Sequence, residues 1–289
     1  MKSFKMKALA VATLGLGGLV MVGSAFAACP DPTANTNQGY ATPNGPWSAE
    51  VVTNSTIASG SPGLASTNCK MVVAFTPTGG VVAGNSTSFV QDQSPNNEQR
   101  YRARFYVDLS GLTSAFSTAA ASGETVLLMS ANANTAPTGR SSSVVKLFLV
   151  GGSPLAFRFQ VADSGAGGQT KTISVAVPTP AGVNRVEFDY NTYPGATQQS
   201  VCESGSTNGS FCAWVTAGAT ASTEASPTSK YNLVSNSFDA NGVTGWSGVK
   251  FANLGIFGPN NLLQGDATTN SSSFAFDEFD SRRQTFIGQ

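Results

Sequence analysis

What most constrains this chain is an alternation of period two that returns in segment after segment. In Tyr101-Arg102-Ala103-Arg104-Phe105-Tyr106-Val107-Asp108-Leu109 the odd positions are mostly apolar and the even ones mostly polar. Leu155, Phe157, Phe159 and Val161 alternate with Ala156, Arg158, Gln160 and Ala162. Ile173, Val175 and Val177 repeat the pattern, as do Val186, Phe188 and Tyr190. Successive side chains of a strand point to opposite faces, so each segment reads as a strand with one side on a core and the other toward water. Turn-forming clusters separate them: Ser94-Pro95-Asn96-Asn97, Gly151-Gly152-Ser153-Pro154, Gly165-Ala166-Gly167-Gly168 and Pro178-Thr179-Pro180. No stretch has the caps and spacing of a three-turn amphipathic helix, and Leu112–Ala121 offers at most one short helical turn. The expected architecture is all-β: a two-sheet antiparallel sandwich.

Thr216–Ser229 (TAGATASTEASPTS) is low in complexity and reads as a long surface loop, because strand character resumes at Val249-Lys250-Phe251. Too few residues follow it to bury a core of their own, so residues 28–289 read as a single domain. The first 27 residues read differently. Lys2, Lys5 and Lys7 precede an apolar run from Ala8 to Gly23, and Ala25-Phe26-Ala27 supplies small residues at a cleavage site between Ala27 and Ala28. This is the layout of a secretory signal peptide and too short for a membrane span. The competing pattern, a lipidated Cys29, would ask for an aliphatic residue where Phe26 stands.

Removing residues 1–27 takes away three of sixteen basic residues and no acids, leaving a net charge of 13 − 16 = −3. That balance, with no lysine or arginine cluster, argues against nucleic acid as a partner. No second long apolar run suggests a membrane span, so the expected location is periplasmic or extracellular. In such a compartment Cys29, Cys69, Cys202 and Cys212 read as two disulfides. The pairing Cys29–Cys69 with Cys202–Cys212 brackets turn-rich segments beside strands; chain-entropy estimates give about 4 and about 3 kcal/mol.

Three segments together resemble a bacterial family of exported laminin-G-like, concanavalin A-like jelly rolls: VQDQSPNNEQRYRARFYVD (Val90–Asp108), RVEFDY (Arg185–Tyr190) and FDEFDSRRQTFIG (Phe276–Gly288). The resemblance implies a jelly-roll sandwich over most of the chain and implies little about function, since this fold carries lectins, adhesive modules, glycan hydrolases and passive domains. It also makes the acidic run Asp277-Glu278-Asp280 the closing strand rather than a metal or catalytic cluster. Phe274 and Phe276 share a face in that strand and Phe279 does not, which predicts a β-bulge at Asp277-Glu278. Arg282 and Arg283 are placed to pair with Glu278 or Asp280. Calcium is the one metal the resemblance brings with it, and no Asp-rich loop here matches a site; no cofactor is expected.

The chain has no histidine, which removes Ser-His-Asp and Cys-His nucleophiles and histidine-ligated zinc. Carboxylate chemistry remains. Glu187 and Asp189 share a strand face, but Asn191 and Thr192 stand where jelly-roll glucanases carry a further glutamate. A glycoside hydrolase built on Glu187 would therefore lack a partner acid, and the chain is expected not to be an enzyme. Arg102, Arg104, Tyr106 and Asp108 line the polar side of one strand, and Trp214 lies beside Cys212; these are the candidate ligand-binding residues, suited to a sugar lying across them. The expected function is binding of a carbohydrate or cell-envelope polymer. The alternative is a structural protein that self-associates through neutral, Ser/Thr/Asn-rich surfaces.

Overall fold

The computed structural model describes residues 49–53, 56–65, 69–75, 87–112 (except 94 and 96), 125–164, 169–192, 202, 208–234 (except 219 and 221), 246–261 and 272–282. Among them are fourteen strands and no helix. In chain order these are β1 (Ala49–Thr53), β2 (Thr56–Gly60), β3 (Lys70–Phe75), β4 (Thr87–Asp92), β5 (Arg100–Asp108), β6 (Thr125–Ala133) and β7 (Ser143–Val150). Then follow β8 (Ala156–Ser164), β9 (Gln169–Ala176), β10 (Val183–Asn191), β11 (Ser210–Ala217), β12 (Ser229–Asn232), β13 (Val249–Asn261) and β14 (Ser272–Arg282). The signal-peptide segment and its Ala27–Ala28 junction, Cys29, the helical turn expected before Ala121, and Arg283 lie outside the described residues. No helix among the described residues is long and apolar enough to cross a membrane.

The strands make two antiparallel sheets of seven, ordered β1-β4-β13-β6-β7-β8-β9 and β12-β11-β10-β5-β14-β3-β2. They pack as the expected jelly-roll sandwich around one apolar cluster. The period-two residues supply it: Tyr101, Ala103, Phe105 and Val107 from β5, Phe157, Phe159 and Val161 from β8, and Val186, Phe188 and Tyr190 from β10 are all fully buried. Phe159 reaches across the sandwich to Phe188 and Phe211, with ring centroids 6.2 and 5.1 Å away. Burying each such ring contributes about 1.5–3 kcal/mol. Polar contacts also cross the sandwich: the Tyr190 hydroxyl donates to the Ala162 carbonyl at 2.8 Å, and the Tyr231 hydroxyl donates to Asp163 at 2.8 Å.

β14 closes the second sheet between β3 and β5, and the bulge is present. Its register against β5 shifts between Asp277 and Asp280, and Glu278 takes a φ of 49°. Phe274 and Phe276 enter the core at 0% and 1% exposure, while Phe279 packs at its margin. The bulge spreads the three acids. Asp277 accepts a hydrogen bond from the Leu64 backbone N–H at 2.7 Å, and Glu278 meets Arg104 at 3.4 Å. No group of three such side chains that could hold a metal ion forms among the described residues.

One glycine is required by packing. Gly255 has a φ of 146°, and a Cβ there would run into the backbone of Ser88 and Phe89, so the residue lets β13 lie close against β4.

Candidate functional site

Each sheet has an outward polar face, and the two differ in chemistry. On the second sheet, β5 and β10 pair so that Arg102 stands opposite Asp189, Arg104 opposite Glu187 and Tyr106 opposite Arg185. On the other side of β10, Glu187 stands opposite Trp214 and Asp189 opposite Cys212. The alternation thus aims the expected binding residues at a common face. Apart from half-buried Asp108 at the end of β5, they do not reach water there: Arg102, Arg185, Glu187 and Trp214 are 0% exposed and Asp189 1%.

Asp189 is neutralised by two arginines, while the buried Arg185 guanidinium makes no hydrogen bond among the described residues. Arg100 donates to both oxygens of Asp189 at 3.2 and 2.8 Å, and Arg102 approaches the same carboxylate at 2.7 Å. Arg102 also donates to Glu224 at 2.6 Å. Burial works against the Arg102 charge, but Asp189 and Glu224 more than offset it and hold its pKa above the ordinary guanidinium value. Glu224 belongs to the segment expected to be a surface loop. That segment instead folds back over the face: Thr223 accepts the Trp214 indole N–H at 3.1 Å, and the Thr228 hydroxyl accepts the Val215 N–H at 2.9 Å.

Trp214 packs on the Cys202–Cys212 disulfide in a small cluster of its own, with the Arg102 guanidinium 5.7 Å from its ring centroid. Cys69 is disulfide-bonded as well. Arg104 lies over the Tyr106 ring at 5.7 Å, and Asp108 caps the turn after β5 by accepting from the Ser110 N–H at 2.9 Å. Glu187 and Asp189 share a face as expected, shut away from solvent. The correction is one of access. The face was expected to be open to a sugar; it is buried, and over Arg102 and Trp214 the residues between β11 and β12 lie on it.

The outward face of the first sheet carries a continuous row of polar groups, half-buried at Gln91, Lys146 and Gln160, exposed at Thr172, and buried at Ser130, Asn132 and Asn253. Registers across six strands align Gln91 (β4), Asn253 (β13), Ser130 (β6), Lys146 (β7), Gln160 (β8) and Thr172 (β9) in a single row. Six strands at about 4.8 Å spacing make the row about 24 Å long. One end is a chain of amides and hydroxyls. Gln93 Nε2 donates to Gln91 Oε1 at 2.6 Å, Gln91 Nε2 to Asn253 Oδ1 at 3.0 Å, and Asn253 Nδ2 to Ser130 Oγ at 3.5 Å. Asn132 Nδ2 donates to Ser130 Oγ at 2.9 Å and Ser143 Oγ to Asn132 Oδ1 at 2.7 Å.

Beside the row stand half-buried Phe148 and Phe251, and Arg158 lies 5.3 Å over the Phe148 ring. Hydrogen-bonding amides fixed by one another, with flat apolar rings alongside, can accept and donate to hydroxyl-bearing ligands while covering their apolar edges. Sequence reasoning noted Arg158 and Gln160 only as outward members of an alternation and did not single out Gln91, Ser130, Lys146 or Asn253.

No family model and no curated protein matches this sequence; the laminin-G likeness is thus unsupported beyond the jelly-roll fold. Solved structures similar to it include an exolytic alginate lyase from Zobellia galactanivorans, 10% identical, covering 82% of this chain and 90% of that one with a TM-score of 0.46. A carbohydrate esterase from a Shiga toxin-encoding bacteriophage is 8% identical, covering 82% and 91% with a TM-score of 0.45. A cellulose-induced protein is 13% identical, covering 80% and 87% with a TM-score of 0.44. The expectation that the chain is not an enzyme is corrected by these neighbours: alginate lyases and a carbohydrate esterase are among them, so the fold gives no ground for setting catalysis aside.

Proposed function

We propose that this protein recognises a carbohydrate chain, and that it does so on the outward face of the first sheet. The observation that carries the reading is the row from Gln91 to Thr172. Six side chains from six strands line up, the amides of Gln91 and Asn253 are held in fixed orientation by mutual hydrogen bonds, and aromatic rings flank the row. A ligand rich in hydroxyls can replace water along such a row group for group, whereas an apolar ligand would strand the amides without partners. The second sheet favours this choice of face, because Arg100, Arg102 and Asp189 are engaged with one another and Arg102, Arg185, Glu187 and Asp189 are closed from solvent. The disulfides suit an oxidising compartment, where envelope and extracellular polysaccharides are met.

The test is a polysaccharide panel with wild type, Asn253→Ala and Gln91→Ala. Each incubation is also read for soluble products, so that cleavage would be seen with binding. Wild type should bind at least one polymer and both variants should weaken that binding, each by roughly tenfold, about 1.4 kcal/mol. Unchanged binding by both variants would move the site elsewhere, and no binding to any polymer would refute the carbohydrate reading.

A further inference from the structure

The charges on the two outward faces are segregated in a way that bears on the ligand. On the second sheet Arg100, Arg102 and Arg104 each meet a carboxylate, and the one that does not among the described residues, Arg185, is fully buried and out of a ligand's reach. On the first sheet Lys146 and Arg158 have no such partner. Strands β6, β7, β9 and β13 contain no acid at all. The acids of β4 and β8 turn toward the other sheet: Asp92 accepts from the Ser281 hydroxyl of β14 at 3.3 Å, and Asp163 accepts from Tyr231 of β12; Glu50, the acid of edge strand β1, stands in register with the buried core residue Val90. Among the described residues on the strands of the first sheet's outward face, therefore, two cations stand without an acid.

Their placement is specific. Lys146 pairs in register with Gln160, and Phe148 with Arg158, so Lys146 and Arg158 are diagonal neighbours on adjacent strands, about 7–8 Å apart at the backbone. Lys146 is half-buried between Ser130 and Gln160 and makes no hydrogen bond or ion pair among the described residues. The Arg158 guanidinium is held against the Phe148 ring, and its buried Nε has no hydrogen-bond partner. Two partly desolvated cations side by side repel one another, and an anion between them would remove both that repulsion and the unmet hydrogen-bond donors.

We propose that the row takes an acidic polysaccharide, with a carboxylate or sulfate group of the chain seated between Lys146 and Arg158. Burial also pushes the Lys146 ammonium below its ordinary pKa, which is the expected state of a cation whose counter-charge arrives with the ligand. The amide end of the row, from Gln93 to Asn132, then takes the neutral hydroxyls of neighbouring sugar units. This inference rests on the carbohydrate reading and narrows it to one charge class.

The experiment compares matched polymers with the purified protein: a polyuronate against its carboxyl-reduced neutral form, and dextran sulfate against dextran. Either acidic polymer should bind at least tenfold more tightly than its neutral twin, and the preference should shrink as salt is raised. Whichever acidic polymer is preferred identifies the anion as carboxylate or sulfate. Lys146→Gln and Arg158→Gln should each erase most of the preference, while Lys146→Arg, which keeps the charge, should retain it. Circular dichroism of the variants separates loss of fold from loss of the charge. Equal binding to acidic and neutral twins, unaltered by Lys146→Gln, would overturn the anionic subsite and leave the carbohydrate reading standing. Absence of binding to all four polymers, together with silence in the wider panel, would remove both.

Discussion

Replacing Asp189 by asparagine should destabilise the protein more than most single changes do. The side chain keeps its volume and loses its charge, at a position with 0% side-chain exposure between Arg100 and Arg102. At charge separations of about 4 Å and an effective dielectric of about 20, each attraction is worth about 4 kcal/mol. Most of that is cancelled in the intact network by the desolvation of the three groups, so the network as a whole contributes little net stability. Removing the acid does not return the desolvation of Arg102, whose side chain is 0% exposed and whose other partner, Glu224, is 36% exposed. Arg100, at 17%, can turn toward water.

The expected loss is therefore about 3–5 kcal/mol, the range for stranding one member of a buried pair. In a domain of this size it corresponds to a fall in Tm of about 6–20 °C. Urea denaturation followed by tryptophan fluorescence is the assay, since the Trp214 ring lies 5.7 Å from the Arg102 guanidinium. Glu224→Gln is the control and should cost less than about 1 kcal/mol, as partly exposed pairs do. Adding Arg102→Met to Asp189→Asn should recover stability, because the stranded cation is gone. A loss below about 1 kcal/mol for Asp189→Asn would refute the reasoning and mean that water reaches this face.

Three further predictions follow from the frame. Reductant should lower Tm, with the Cys202–Cys212 crosslink, ten residues apart, alone worth about 3 kcal/mol; an unchanged melting curve after confirmed reduction would remove that contribution. Phe276→Ala should cost about 3–5 kcal/mol, since the ring is 1% exposed and packs 6.2 Å from Phe105, and a change below about 0.5 kcal/mol in denaturant titration would mean the closing strand faces the other way. Burial and the bond to Asp163 push the Tyr231 phenol up to about 12, so its stabilising effect is complete below pH 10 and is lost as pH rises through 12. Denaturation midpoints should fall more steeply across that window in wild type than in Tyr231→Phe; parallel curves would contradict the raised value.

The fold was legible because facing in a strand is a local property. Tyr101 to Leu109 declares its two sides within nine residues, and the structure buries Tyr101, Ala103, Phe105 and Val107. The bulge at Asp277-Glu278 was legible for the same reason, since a change of apolar side between Phe276 and Phe279 can be made only by an extra residue. The fate of Arg102 and Trp214 was not. Their outward facing could be read, but whether water or protein lies outside depends on where the residues after β11 fold, and TAGATASTEASPTS carries no pattern that says so. Only its single acid, Glu224, hints at a partner, and a lone glutamate in a loop points to no particular arginine.

The polar row on the first sheet was hidden by a different limit. Gln91 and Asn253 are 162 residues apart and touch; Lys146 sits between Ser130 and Gln160 only because β6, β7 and β8 pair in one register. A shift of one residue would send Lys146 to the core face and break the row. Alternation gives each strand's facing, yet a binding surface that crosses strands is a property of pairing, and pairing is set by the whole sandwich. The absence of acids from β6, β7, β9 and β13 could still be read along the chain, and with the pairing known it becomes informative. Carboxylates of this protein neutralise Arg100, Arg102 and Arg104 on the second sheet and, among the described residues, leave Arg185 without one. The two faces differ in access: Arg185 is fully buried, whereas Lys146 and Arg158 are half-buried and can meet an anion that a ligand brings.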